Sequence, residues 1–139
     1  MTTKHWIVAG AVFALCVLVP GLVTIPAAGA PRVINITADK DNRYKVPGAK
    51  DPVITMKCNE VAILRITANR GMEWDDKDGT IHTFTIVALK DKGWDFRLKP
   101  GVQQLPVVAP SEPGEYKVEC TVKCGAGHDD MRMKLVVTE

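Results

Sequence analysis

The sequence predicts an all-β fold, a sandwich of two sheets, over residues 31–139. Short runs in which apolar and polar residues alternate recur along this region, and turn residues separate them. No stretch shows the apolar spacing of a long amphipathic helix. Seven or eight short strands joined by turns are typical of a β-sandwich. The chain of 139 residues has room for one such domain and a leader.

The predicted strands follow the chain in order. They cover residues 32–38, 44–46, 51–56, 61–67, 81–87, 102–108, 116–120 and 131–137. In the fourth of these, Leu64 and Ile66 are expected to face the core. Pro106 is expected to place its strand at a sheet edge or a bulge, because proline has no N–H to donate to a neighbouring strand.

Residues 1–30 form a separate segment. Residues 6–25 are nearly all apolar and follow Lys4. A charged start, an apolar middle and small residues at 27–30 are the features of a cleaved signal peptide, whereas twenty apolar residues also suffice for a single membrane anchor. Both interpretations stay open. Both place the domain at 31–139 outside the cytoplasm, on the periplasmic side of a bacterial inner membrane.

The charge balance excludes some classes of function. Lys4 is the one charged residue among the first thirty, so the remainder holds 17 basic and 16 acidic residues, a net charge of +1. Since no basic run stands out, nucleic acid is not an expected partner. No Gly-x-Ser-x-Gly motif is present, and no catalytic residue is predicted.

Residues 120–131 hold the highest density of metal-binding side chains. Cys120, Cys124, His128 and Met131 follow one another at spacings of four, four and three, and glycines between them let the chain turn tightly. Thiolate and thioether sulfur together with imidazole select copper above other first-row metals. An alternating strand leads into this stretch and another leads out. The pattern therefore indicates a copper site on a loop between two strands.

His82 is the other histidine of this domain. It lies in an alternating strand with Phe84 and Ile86 on the same face. A lone histidine on a strand is more often a packed core residue than a ligand. Here the thiols and His128 favour the ligand role, because a β-sandwich can bring the two histidines together.

The spacing Cys-x3-Cys-Gly-x2-His-x2-Met, preceded by Pro-Gly-Glu-Tyr and by a strand histidine, resembles the CuA domain of cytochrome c oxidase subunit II. The resemblance covers roughly residues 50–139. It implies a cupredoxin-like Greek-key sandwich that passes electrons from a c-type cytochrome to the haem-copper oxidase subunit I and performs no chemistry alone. The single apolar segment fits either a subunit II with one membrane helix or a free-standing CuA protein.

The resemblance also implies the ligands of two copper ions. The six ligand positions are Cys120, Cys124, His82, Met131, His128 and the backbone carbonyl of Val122. In this arrangement both cysteine sulfurs bridge the two ions. The first histidine and the methionine complete one ion, and the second histidine and the carbonyl complete the other. Two bridging thiolates spread one unpaired electron over both metals.

Three other interpretations remain open. Cys120 and Cys124 could form a disulfide, which is frequent in exported proteins, although the histidine and methionine at fitting intervals favour a metal. A mononuclear cupredoxin site needs two histidines, one cysteine and a weakly bound methionine as ligands, and Cys120 would then have no ligand role. An exported copper carrier could use the same donors for delivery without electron transfer.

Two polar stretches, residues 69–79 and 90–101, are interpreted as insertions into the sandwich. The first has a net charge of −2 and could attract a basic cytochrome, although a solvated loop is the commoner role. Trp74 and Trp94 are expected to anchor these loops, unless one of them lies over the copper loop. Cys58 is expected in a turn, as an unpaired thiol.

Overall fold

The computed structural model describes residues 29–139. The predictions for the apolar segment 6–25 lie outside these residues. Residues 29–139 form nine strands: β1 (Arg32–Ala38), β2 (Tyr44–Lys45), β3 (Val53–Lys57), β4 (Val61–Ala68), β5 (His82–Thr85), β6 (Asp95–Leu98), β7 (Gly101–Val108), β8 (Gly114–Glu119) and β9 (Arg132–Thr138). Two short 3₁₀ helices cover Val87–Lys92 and His128–Asp130. Between residues 29 and 139, no helix is both long and apolar enough to cross a membrane.

The strands form two sheets, and the predicted β-sandwich is confirmed. One sheet has the order β2-β1-β4-β7 and the other β3-β9-β8-β5-β6. β1 pairs with β4 and β3 pairs with β9 in parallel, while the other pairs are antiparallel. β7, which contains Pro106, is an edge strand as predicted.

The core lies between the two sheets. Leu64 and Ile66 of β4 are fully buried, which confirms the predicted alternation, and Leu135 of β9 and Val118 of β8 face them from the other sheet. Burial of such aliphatic side chains is the main force that holds the sheets together. Cys58 lies in the turn between β3 and β4, half-buried.

β5 departs from the expected alternation because all four of its residues are buried. Its inward positions hold His82 and Phe84, but Thr83 and Thr85 on the other face are buried too. The Thr85 hydroxyl lies 2.7 Å from a carboxylate oxygen of Asp95 and 3.0 Å from the Thr83 hydroxyl. These contacts compensate for the burial of two hydroxyl groups.

The interpretation of residues 90–101 as an insertion is wrong in part, because this region contains β6. β6 pairs with β5 along its whole length, with Thr85 opposite Asp95 and His82 opposite Leu98. Four residues are too few for a clear alternating pattern, so the sequence alone did not predict this strand. Trp94, just before β6, is buried against Phe96 with ring centroids 6.1 Å apart, and the prediction that it anchors the loop is confirmed.

Candidate metal centre

The predicted ligand residues meet at one end of the sandwich. Cys120 directly follows β8, Met131 directly precedes β9, and His82 is the first residue of β5. Because β5 is the neighbour of β8 in the sheet, the histidine strand and the cysteine loop lie side by side. The ligand atoms of His82, Cys120 and Cys124 lie within 4.8 Å of one another.

Cys124 is at the centre of the cluster. Its Sγ lies 3.8 Å from Sγ of Cys120, 3.6 Å from Nδ1 of His128 and 3.8 Å from Sδ of Met131. The backbone carbonyl oxygen of Val122 lies 3.3 Å from Sγ of Cys120. The fold thus brings all six predicted positions around two sulfur atoms, and their role as ligands remains a prediction.

The two cysteines are separate thiols in this structure. A disulfide has a sulfur–sulfur bond of about 2.0 Å, far shorter than the 3.8 Å observed between Cys120 and Cys124. Both sulfurs are nevertheless turned toward the same histidine. The structure therefore gives no support to a disulfide as the resting arrangement.

His82 supplies the test of whether a metal fits. Its Nε2 lies 2.9 Å from the carbonyl oxygen of Asn69, and because a carbonyl only accepts, Nε2 carries the hydrogen. Nδ1 is buried and has no hydrogen-bond partner among the described residues. Burying a polar atom without a partner costs free energy, which a metal ion bound to the Nδ1 lone pair would remove. A carbonyl that orients the ring in this way is typical of metal-binding histidines.

The two thiols differ in how readily they ionise. The hydrogen bond between their sulfur atoms lowers the pKa of Cys120 and raises the pKa of Cys124. The backbone N–H of Thr83 also donates to Sγ of Cys120 at 3.4 Å, which favours the thiolate. The pair therefore accepts one negative charge easily, while a second charge needs a cation beside it. Soft sulfur, imidazole nitrogen and a thioether make copper the fitting cation.

The turn before β2 holds the ligand loop from one side. Asn42 Nδ2 donates to the carbonyl of Ala126 at 2.6 Å, and an Arg43 guanidinium N–H donates to the carbonyl of Gly127 at 3.0 Å. Asn42 is buried and adopts a left-handed conformation with φ of 55°, which asparagine tolerates better than most residues. Sequence reasoning missed this support, because nothing local to the turn indicates what it contacts.

The insertion at 69–79 holds the loop from another side. The Glu73 N–H donates to the carbonyl of Cys124 at 3.4 Å. Gly71 packs so closely that a Cβ on it would lie 2.8 Å from Asn42 Oδ1 and 2.9 Å from the Cys124 carbonyl oxygen. The insertion also carries Asn69, which orients His82. It is therefore a structural support of the site, a role that its polar composition did not indicate.

One edge of the cluster reaches the surface. Met131 and His82 are fully buried, whereas His128 is half-buried and lines a surface depression together with Thr121 and Asp129. Trp74 is partly exposed on the insertion and stacks with Arg70. Among the predicted ligand side chains, His128 is therefore closer to solvent than His82 and Met131.

The fold is found in solved structures of copper and oxidase proteins. Neither protein-family models nor curated protein sequences match the chain. A chain of a haem-copper terminal oxidase dimer is 19% identical with a TM-score of 0.55, and the match covers 78% of this chain and 65% of that one. The periplasmic domain of subunit II of cytochrome oxidase (CoxB) of Bradyrhizobium japonicum is 19% identical with a TM-score of 0.54, over 78% of this chain and 84% of that one. Auracyanin B is 16% identical with a TM-score of 0.50, and the match covers 78% of this chain and 89% of that one.

These similarities establish the cupredoxin-like fold of residues 29–139. The predicted resemblance to the subunit II domain is therefore confirmed in its fold. The match spans 65% of the length of the oxidase chain.

Proposed function

We propose that this chain is an exported electron-transfer protein whose site holds two copper ions as a CuA centre. The observation that carries the proposal is the position of the two thiols. Both sulfurs face one cluster at 3.8 Å from each other, with His82 on one side and His128 on the other. A single ion needs only one of these thiolates, whereas a binuclear centre uses both.

Each predicted ligand has a defined part in this proposal. Cys120 and Cys124 would bridge the two ions, His82 and Met131 would complete one, and His128 with the Val122 carbonyl the other. Held by these residues, two copper ions would supply one-electron transfer. The strands and the hydrogen bond from His82 to Asn69 hold the donors in place during this exchange. Fixed donors keep the reorganisation between redox states small.

One contact pattern favours a second candidate, a mononuclear cupredoxin. Cys124 Sγ alone contacts His128 and Met131, and His82 lies beside it. These four residues make the ligand set of a blue copper site, and auracyanin B shares the fold. The orientation of Cys120 argues against this candidate, because its sulfur faces the same cluster and accepts the Thr83 N–H.

The proposed partners follow from the same function. A c-type cytochrome would donate the electron, and a haem-copper oxidase subunit I would accept it. The similar fold within a haem-copper terminal oxidase supports an oxidase role, and the periplasmic domain of similar fold supports export. In this proposal residues 1–30 are a signal peptide or a single membrane anchor and residues 31–139 are the copper domain.

The charges of the insertion contribute less to docking than the sequence suggests. Arg97 pairs with Asp75 and Asp78 at 2.6 Å and 2.8 Å, and Lys123 lies 3.4 Å from Glu73. These partners come from outside residues 69–79, so a count of charge within the insertion overstates its negative field. Docking of a cytochrome at this surface would therefore depend little on long-range attraction.

The direct test is to purify the exported protein, load it with copper and count the bound metal. The CuA proposal predicts two copper ions per chain, a purple colour and rapid oxidation of a reduced c-type cytochrome. One ion per chain with an intense blue band would establish the mononuclear candidate. Bound copper that exchanges no electrons with any cytochrome would identify a carrier.

A further inference from the structure

The outer surfaces of the two sheets differ sharply in charge. On β1, β4 and β7, one outward side chain of eleven is charged, and Lys45 on the edge strand β2, opposite Thr37, adds a second charge to the outer surface of this sheet. We call the eleven residues of β1, β4 and β7 the aliphatic face: Val33, Asn35, Thr37, Val61, Ile63, Arg65, Thr67, Val102, Gln104, Pro106 and Val108. On the other sheet, eight outward residues are charged: Lys57, Asp95, Arg97, Glu115, Lys117, Glu119, Arg132 and Lys134.

Five of the six apolar residues of the aliphatic face are exposed, and the sixth, Ile63, is half-buried. Val61, Val102 and Val108 each expose more than half of their surface, and Val33 exposes 48%. Strand pairing places Val61 beside Val108 and Ile63 beside Pro106, so they form a continuous patch. Exposed contiguous apolar patches mark interaction sites more often than chance, whereas single exposed apolar residues do not.

Arg65 is the single charge of this face, and it lies in the middle. It is flanked in register by Asn35 on β1 and Gln104 on β7. Among the described residues its side chain forms no ion pair and no hydrogen bond. Each of the other five arginines contacts a partner within the chain: Arg32, Arg43, Arg70, Arg97 and Arg132.

We propose that the aliphatic face binds a different protein, through a flat apolar surface with one carboxylate that pairs with Arg65. Protein interface centres are depleted of lysine, glutamate and aspartate and enriched in arginine, methionine and aromatic residues, and this face shares the loss of charge and the arginine. An arginine there can donate two parallel hydrogen bonds to a carboxylate. The proposal goes beyond the copper site and does not depend on it, because the face is formed by sheet residues that are not ligands.

A second copy of the chain is a poor occupant of this face. In a symmetric dimer centred on the face, Arg65 would meet Arg65 of the other copy, and like charges at an interface centre are strongly unfavourable. A membrane surface is a poor occupant as well. Surfaces that lie on membranes carry tryptophan, tyrosine and basic side chains around the apolar residues, and the aliphatic face carries no aromatic residue.

The test uses the full chain in its native host, with a photoreactive amino acid at Ile63. The matched control carries it at Thr55, an outward residue of β3 on the charged sheet. The proposal predicts one protein crosslinked from position 63 and none from position 55. Mass spectrometry then identifies the crosslinked peptide, which must lie near an aspartate or glutamate.

Three variants decide whether Arg65 forms the predicted pair. Arg65→Glu is expected to lower the crosslink yield about tenfold or more, since an unpaired like charge at an interface is costly. Gln104→Glu adds a carboxylate beside Arg65 within the chain and should also lower the crosslink yield, because Arg65 would then pair within the chain. Changing the partner's carboxylate to arginine should restore crosslinking to Arg65→Glu.

Other outcomes overturn the proposal. They are equal crosslinking from both positions, a product made of two copies of this chain, crosslinks to lipid only, or no product at all. An Arg65→Glu variant that folds and crosslinks as well as the wild type would also contradict it.

Discussion

The two halves of the candidate metal centre are built in different ways. His82 belongs to β5, a strand whose residues are all buried and which is paired on both sides. The half between Cys120 and Met131 is a loop without strand pairing, and hydrogen bonds from residues 39–43 and 69–73 hold it. The backbone of the strand half is fixed by the sheet itself, and the His82 ring is also oriented by the Asn69 carbonyl. The loop half depends on contacts with segments that are distant in sequence.

This difference separates the effects of substitutions. A change in the loop or its supports should act on metal binding first, because the sheet stays intact. A change beneath the strand half should act on folding first, because the same hydrogen bonds hold the sheet and the histidine. The following variants are ordered from the largest expected effect on the metal to the smallest.

Cys120→Ser tests the loop half most severely. Oxygen is a harder donor than sulfur and bridges copper less covalently, so the proposed binuclear centre should be lost. Metal analysis and the visible spectrum of the copper-loaded variant measure this. Cys58→Ser is the matched control, since Cys58 lies in the turn between β3 and β4, and it should keep two ions. A Cys120→Ser variant that retained the wild-type spectrum would show that this thiol does not bind copper.

Gly71→Ala tests the support of the loop. The added Cβ would lie 2.9 Å from the Cys124 carbonyl, so the loop or the insertion must shift. Overpacking of this kind costs about 1–3 kcal/mol, and disturbed supports of ligands lower metal affinity about 10–100-fold. A competition titration with a copper chelator gives the affinity.

The control for this variant is Gly79→Ala. It adds backbone strain at a φ of 71° but no contact within 4 Å, so it should leave copper affinity unchanged. Equal affinity losses in the two variants would mean that the insertion does not position the ligands.

Met131→Leu should have a milder effect. The thioether lies 3.8 Å from Sγ of Cys124 in a fully buried position, and a thioether is a weak axial ligand. Leucine fills similar volume, so the variant should bind two ions with a changed reduction potential. Met133→Leu, on the adjacent strand in the core, should leave the potential unchanged. Complete loss of copper from Met131→Leu alone would contradict the assigned role.

Thr85→Val tests the strand half and should affect the metal least. The buried Thr85 hydroxyl donates to a carboxylate oxygen of Asp95 on β6 at 2.7 Å, and valine would leave that oxygen without its donor. The free energy of unfolding should fall by about 1–3 kcal/mol, as measured by urea denaturation, while the copper count stays the same. The control Thr55→Val, at an exposed position, should change the free energy of unfolding by less than about 0.5 kcal/mol.

Much of the fold could be predicted, because alternation directly reflects which face of a strand is buried. β1 and β4 begin where predicted, and Pro106 marked an edge strand correctly. β6 was missed because four residues give little periodicity. The burial of Thr83 and Thr85 also could not be read from the sequence, since it depends on how neighbouring elements cover β5.

The ligand candidates could be predicted because their chemistry is local to a short motif. The supports of the site could not, because they are contacts between residues far apart in sequence. Asn42 and Ala126 are 84 positions apart, and nothing in the turn at Asn42 indicates this bond. Gly71 likewise looks like an ordinary loop glycine until the Cys124 carbonyl is placed beside it.

Electron paramagnetic resonance of the oxidised, copper-loaded protein tests the central claim most directly. With both Cys120 and Cys124 bridging, one unpaired electron should show hyperfine splitting from two equivalent copper nuclei. A spectrum split by a single copper nucleus, at full copper occupancy, would contradict the binuclear centre.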